Sequence, residues 1–151
     1  MSHHPAPVPP PRSLSLDRLP GHLREVPYAG ARHPGAPGPG GVADGANCQR
    51  HAYAVLRHFG RTVPPLRSAE LWADTRATVR VCAPLPLDLV LFDGGAVPGR
   101  PPGYGAHVGL HCGPGRVLHL CQEAGRPVVW SYAHFAARER YARFLGVKRV
   151  R

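Results

Sequence analysis

Three side chains have the types and the order of a thiol-based acyl-transfer site: Cys48, His107 and His119. Cys48 stands in Gly45-Ala46-Asn47-Cys48-Gln49-Arg50-His51-Ala52-Tyr53, and both histidines lie in the segment from Ala106 to His119. In such a site a thiolate attacks a carbonyl, a base takes the thiol proton and returns it to the leaving group, and a third group orients the base. A free thiol titrates at about 8.5 and is mostly unreactive at neutral pH. A place at a helix N-terminus should lower that value, because unpaired amides and the helix dipole favour the anion. The simpler reading of a cysteine is a small buried residue, and it is preferred for Cys82, Cys112 and Cys121.

The elements that must position these groups can be read from spacing. Asn47 is a good N-cap and Gly60 sits where a C-cap glycine belongs. Between them Ala52, Val55, Leu56 and Phe59 form one apolar stripe, and Cys48, four residues before Ala52, joins it. Upstream, Leu16, Leu19, Leu23 and Val26 have helical spacing that Pro20-Gly21 interrupts, so a short or broken helix is expected. Ser68 should cap a short helix over 69–74. Strands are expected over 78–82, 88–92, 107–112, 116–122 and 127–130, then a short helix capped by Ser131 through Arg138, and a last strand over 143–149. Helices first and a strand meander afterwards indicate an α+β domain with an antiparallel sheet of about five to six strands. The connections are too short for βαβ crossovers.

Hairpin geometry tests whether the two histidines can share a site. Gly113-Pro114-Gly115 reads as a three-residue loop pairing Cys112 with Arg116. Gly109 then lies opposite His119. Alternation puts His107, His111, Val117, His119 and Cys121 on one face, with Val108, Leu110, Leu118 and Leu120 on the other. A two- or four-residue loop would send His107 and His119 to opposite faces. His51, His58 and His134 read as surface or boundary residues on helices.

Composition narrows the function classes. The chain has 151 residues, 19 prolines and 18 glycines. Met1 to Pro11 is too poor in large apolar residues to offset the entropy of ordering, so residues 1–14 are expected to be a disordered Pro-rich tail and residues 15–151 one domain. A second Pro/Gly stretch, His33 to Gly41, reads as a loop within it. The net charge of +10 comes from 18 arginines and Lys148, scattered along the chain without interleaved aromatics, which argues against a nucleic-acid partner. No apolar run is long enough to cross a bilayer, so no membrane partner is expected. The N-terminus lacks the basic and apolar regions of a signal peptide, which points to a cytoplasmic protein with reduced cysteines. His107, His111, His119 and Cys121 are residue types that ligate zinc, but no Cys-x2-Cys pair or His-Glu-x-x-His helix is present, so no metal site is assigned.

With these residues in hand, the chain resembles the NlpC/p60 family of papain-like cysteine hydrolases. Its members carry a Pro-Tyr turn ahead of the nucleophile, an Asp-Cys-Ser-Gly helix start, a Gly-Asp-Leu-Val strand, a His-Val-Gly strand and a final His. Here Pro27-Tyr28, Asn47-Cys48, Leu87-Asp88-Leu89-Val90, His107-Val108-Gly109 and Val117-Leu118-His119 occur in that order, from about Leu16 to Lys148. The resemblance implies a papain-like NlpC-type fold, a Cys48 nucleophile, His107 as its base and His119 orienting His107. It also implies that Tyr28 and the Cys48 amide bind the oxyanion, with no cofactor. The residues around the cysteine depart from the family's, since Asn47-Cys48-Gln49-Arg50 replaces Asp-Cys-Ser-Gly and Leu87 replaces a glycine. In cell-wall members the residues flanking the cysteine help recognise the peptide stem, so that substrate is not carried over. The Asn-Cys-Gln-Arg-His segment is also similar to the Asn-Cys-Glu-His start of lecithin retinol acyltransferase relatives, but those place histidine before cysteine.

The expected function is a cysteine hydrolase or amidase acting on a small-molecule or peptide substrate through a Cys48 acyl-thioester. Its rivals are acyl transfer to an amine or alcohol from the same intermediate, and a non-catalytic binding module that kept the fold.

Overall fold

The apolar stripe of Ala52, Val55 and Leu56 sets the architecture, because all three are buried and need an apolar sheet face to lie on. That helix, α2 (Cys48–His58), follows two short N-terminal turns, a 3-10 turn at Leu16–Arg18 and α1 (Gly21–Arg24), separated at Pro20 as expected. Next come α3 (Ser68–Ala73), β1 (Thr78–Val81), β2 (Leu89–Asp93), β3 (His107–Gly113), β4 (Arg116–Leu120) and β5 (Pro127–Ser131). The chain ends with α4 (Tyr132–Ala136), a 3-10 turn at Glu139–Tyr141 and β6 (Arg143–Val150). This computed structural model describes residues 11–151. Ser131 caps α4 through its hydroxyl. At α3, however, Arg67 takes the cap position, its amide donating to the Glu70 carboxylate at 3.0 Å, and Ser68 is the first helical residue.

The six strands form one antiparallel sheet in the order β1-β6-β2-β3-β4-β5. Helix α2 packs on the face made by Leu89, Leu91, Val108, Leu110, Leu118 and Leu120. The opposite face carries Val90, Phe92, Val117 and Trp130 and is covered by Phe135 of α4 and by Tyr141. Leu14, which composition assigns to the tail, is buried in the first cluster, and its amide donates to the Cys112 carbonyl at 2.7 Å. The ordered chain therefore begins before residue 15. Residues 1–10 of the expected tail lie outside the described residues.

The β3–β4 hairpin reaches the expected pairing by a different route. Its turn is Pro114-Gly115, with Gly113 opposite Arg116, so the loop holds two residues rather than three. Proline first and glycine second, the latter at φ 71°, suit a turn that needs a left-handed second residue. A bulge between His111 and Gly113 then adds a residue to β3, and the body of the hairpin pairs His111 with Val117 and Leu110 with Leu118. Parity is restored, and His107 and His119 stay on one face. That face is the one turned away from α2.

Leu87, which stands where the resembled motif has glycine, has φ 77°. Such left-handed backbone costs a side chain about 1–2 kcal/mol, offset here by burial of the leucine. Gly109 answers a different need. A Cβ there would lie 2.6 Å from Val117 Cγ1, 3.0 Å from the Leu118 carbonyl oxygen and 3.2 Å from His119 Cβ. We expect Gly109→Ala to lower stability by about 1–3 kcal/mol, read as a drop in the urea midpoint at unchanged slope; an unshifted midpoint would show that the hairpin can yield there.

Candidate active site

Cys48 is the first residue of α2, and the Asn47 side chain caps the helix by accepting the Arg50 amide at 2.9 Å. The thiol is half-buried and free. It lies within hydrogen-bond reach of the amides of Val108, Gln49 and Cys48 itself. The Val108 contact brings the sulfur to the start of β3, beside His107, although α2 and His107 belong to opposite faces of the sheet.

His107 and His119 are both buried, and His107 Nε2 is 2.8 Å from His119 Nδ1, with the rings edge to face. Aromatic rings enclose the pair. Tyr141 lies 4.6 Å from His107, while Trp130 and Phe135 lie 4.3 and 4.6 Å from His119. Among the described residues, His119 Nε2 is the one buried side-chain nitrogen or oxygen without a hydrogen-bond partner. An N–H can rest against a π face, whereas an unpaired lone pair would be repelled by it. With its proton on Nε2, His119 would leave Nδ1 to accept from His107 Nε2–H, and His107 Nδ1 would be the free base.

Burial outweighs the helix terminus at the thiol. It pushes Cys48 up to about 11, against the lowering effect of the three amides, so the expected lowering at a helix start does not appear in the free protein. Burial also holds His107 down to about 3, with the Arg140 charge adding to it. His119 falls to about 2 through burial, then through the neighbouring charge on His107. The resting thiol and both imidazoles are neutral.

Tyr28 is positioned by a parallel bridge to Ala46 and by its amide donating to the Gly125 carbonyl at 2.9 Å. Its phenol is raised by burial and then by the proximity of Cys48 and Cys121. Cys121 is buried beside the site, its sulfur accepting the Ala124 amide at 3.4 Å. Cys112 is also buried, but Cys82 is exposed, because its segment leaves the sheet after β1. His51 is not a surface residue; it is buried, with Nε2 2.9 Å from the Leu23 carbonyl oxygen. No group of three or more His, Cys, Asp or Glu among the described residues has metal-site geometry.

The residues flanking Cys48 are occupied in holding the chain together. Gln49 is buried and donates to the Leu66 carbonyl at 2.7 Å and to the Tyr53 hydroxyl at 2.9 Å. Arg50 donates to the carbonyls of Gly41 and Pro39 and, with Arg32, anchors the Pro/Gly loop. Sequence reading missed Tyr141 and Trp130. Strand alternation could have placed Trp130, since it pairs with Val117 on the face of His119; Tyr141 comes from a 3-10 turn with no periodic signal.

No protein-family model matches the chain, and none of the curated proteins matches it. Solved structures do. The NlpC/p60 domain of the peptidoglycan hydrolase SagA is 23% identical over 76% of this chain and 84% of that one, with a TM-score of 0.48. An NlpC/p60 family protein from Bacillus cereus is 18% identical over 91% of this chain, which spans 41% of its length, with a TM-score of 0.55. The peptidoglycan hydrolase RipB from Mycobacterium tuberculosis is 20% identical over 90% and 71% of the two chains, with a TM-score of 0.53. No described helix is long and apolar enough to cross a membrane.

The histidine pair has two measurable signatures. Side-chain nitrogen NMR at neutral pH should show His119 protonated on Nε2 and His107 protonated on Nε2, with both Nδ1 atoms bare; a protonated His119 Nδ1 would reverse the assignment. Stability should also depend on pH. Because both folded imidazoles titrate below their ordinary 6.5, the folded state binds fewer protons than the unfolded one. Their contribution is complete above pH 6.5 and is lost as pH falls toward the folded values. At about pH 5 each histidine should cost about 2 kcal/mol relative to neutral pH. Urea unfolding at the two pH values should show a smaller loss in His119→Phe than in the wild type, and equal losses would refute this.

Proposed function

We propose that this chain, which has the NlpC/p60 fold, is a cysteine hydrolase that cleaves an amide or ester through a Cys48 acyl-thioester. The observation that carries this is the buried His107–His119 pair at 2.8 Å with the Cys48 thiol on the adjacent Val108 amide. His107 is the base, His119 holds it in the productive tautomer, and Tyr28 with the Cys48 amide supports the oxyanion.

Substrate entry brings a carbonyl to the sulfur, and the thiol proton moves to His107 Nδ1 as the S–C bond forms. The carbonyl electrons go to the oxygen, where the Cys48 amide and the Tyr28 hydroxyl donate to the developing charge. Collapse expels the amine or alcohol, which takes the proton from His107. Water, deprotonated by the same nitrogen, then attacks the thioester carbon; the C–S bond breaks to release the acid, and the sulfur takes the proton back from His107. The two peptidoglycan hydrolases among the similar structures make a cell-wall peptide one candidate substrate. The flanking residues Gln49 and Arg50 are committed to the protein's own backbone, however, so the substrate assignment stops at the amide or ester. A cytoplasmic setting fits four free thiols, one of them the nucleophile.

Incubation with p-nitrophenyl acetate and intact-mass analysis should reveal an acetyl group on Cys48. Cys48→Ala should form none, and His107→Ala should slow acylation by about 10²-fold or more. Acetylation that is absent, or that persists in Cys48→Ala at the wild-type rate, would defeat the proposal.

A further inference from the structure

His107 is the first residue of β3, paired with Phe92 of β2, and the backbone register with β4 begins only at Leu110. The base therefore stands at the end of the ladder, where its placement depends on the loop over residues 94–106 that leads into it. That loop is fastened at both ends. Where it leaves β2, Asp93 pairs with Arg143 of β6 at two points and accepts the Gly95 amide at 3.0 Å. Where it enters β3, two turns follow each other. The Tyr104 amide donates to the Pro101 carbonyl at 3.2 Å, and the Ala106 amide donates to the Gly103 carbonyl at 3.1 Å. Gly103, at φ 83°, is pressed onto α3: a Cβ there would lie 2.8 Å from Trp72 Cβ and 3.3 Å from both Trp72 Cγ and the Ser68 carbonyl oxygen.

Trp72 is in turn held by the sheet. The far edge of its indole lies over Gly146 of β6, where a Cβ would come within 2.6 Å of Cη2 and 3.0 Å of Cζ3. The Arg80 guanidinium of β1 stacks 3.9 Å from the ring centre and donates to the Trp72 carbonyl at 3.0 Å. The buried Lys148 ammonium of β6 donates to the same carbonyl at 3.4 Å. One side chain thus acts as a spacer between β6 and the loop, and at both of its contacts the neighbour is a glycine that a methyl group would displace.

We propose that Trp72 is a positioning residue of the active site: by fixing Gly103 on α3 it sets where the loop delivers His107, and so aligns the imidazole for its work on the thiol. This rests on Cys48 being the nucleophile and His107 its base. Only Tyr104, Gly105 and Ala106 separate Gly103 from His107, and Ala106 is buried, so a displacement at Gly103 passes to the imidazole instead of being absorbed by slack chain. Misplacing a catalytic group by about 1 Å can cost about 10²-fold in rate.

Two readouts test this together: the rate of Cys48 acetylation by p-nitrophenyl acetate, per folded molecule, and the side-chain nitrogen resonances of His107. Both are taken in buffer where urea curves show each variant folded. Trp72→Ala and, at the loop itself, Gly103→Ala should slow acetylation by about tenfold or more and move the His107 resonances; Trp72→Leu replaces Trp72→Ala if the latter does not fold. Trp72→Phe, which keeps Cβ and a ring carbon beneath Gly103, should recover most of the rate. Leu19→Ala, a buried truncation in the N-terminal turns, should lower the urea midpoint and leave both readouts as in the wild type. Either readout unmoved in the folded Trp72 and Gly103 variants would overturn the inference, as would an equal effect of Leu19→Ala. If the wild type forms no acetyl-Cys48, the nucleophile reading fails separately, and the resonances alone decide whether Trp72 places His107: moved in the Trp72 and Gly103 variants but not in Leu19→Ala, they uphold it, and otherwise they overturn it.

Discussion

A hydrogen bond between two imidazoles, 2.8 Å long and sealed from water, is the constraint around which this end of the molecule is built. Two polar rings can be buried together only if each nitrogen finds a partner or a surface that tolerates it. The pairing satisfies one nitrogen of each ring, and aromatic rings surround His119. The missing side chain at Gly109 clears the strand between them. The bulge at the end of β3 keeps both rings on one face, where a two-residue turn alone would have separated them.

The same burial that makes this pair rigid also sets its chemistry. A partly solvated thiol at a helix start would be expected to ionise early, but here desolvation overcomes the amide donors, and sulfur and imidazoles rest neutral. The thiol and the two imidazoles therefore hold no formal charge in the free protein.

The residues that depart from the resembled motif serve the chain's own structure. Gln49 and Arg50 hold Leu66 and the Pro/Gly loop, and Leu87 fills core space at the cost of a left-handed backbone that glycine would take without strain. The C-terminal 3-10 turn supplies Tyr141, which packs on His107. Likeness of fold and unlikeness of the flanking residues are therefore compatible: α2 positions Cys48, the sheet positions the two histidines, and a separate segment packs on His107.

Local patterns settled a good deal from the sequence alone. The stripe of Ala52, Val55 and Leu56 under an Asn47 cap placed Cys48 at a helix start, and strand alternation separated the histidine face from the leucine face. These are short-range effects of capping, periodicity and steric twist, which act within a few residues. Only the tertiary structure decided that α2 covers the leucine face while the Cys48 thiol lies on the Val108 amide at the start of β3. It also decided that a bulge, rather than a longer loop, sets the hairpin parity, and that His51 is buried. The packing of Tyr141 on His107, and the neutral state of the thiol, depend on which distant surfaces exclude water. That exclusion is a property of packing, and no local run of residues encodes it.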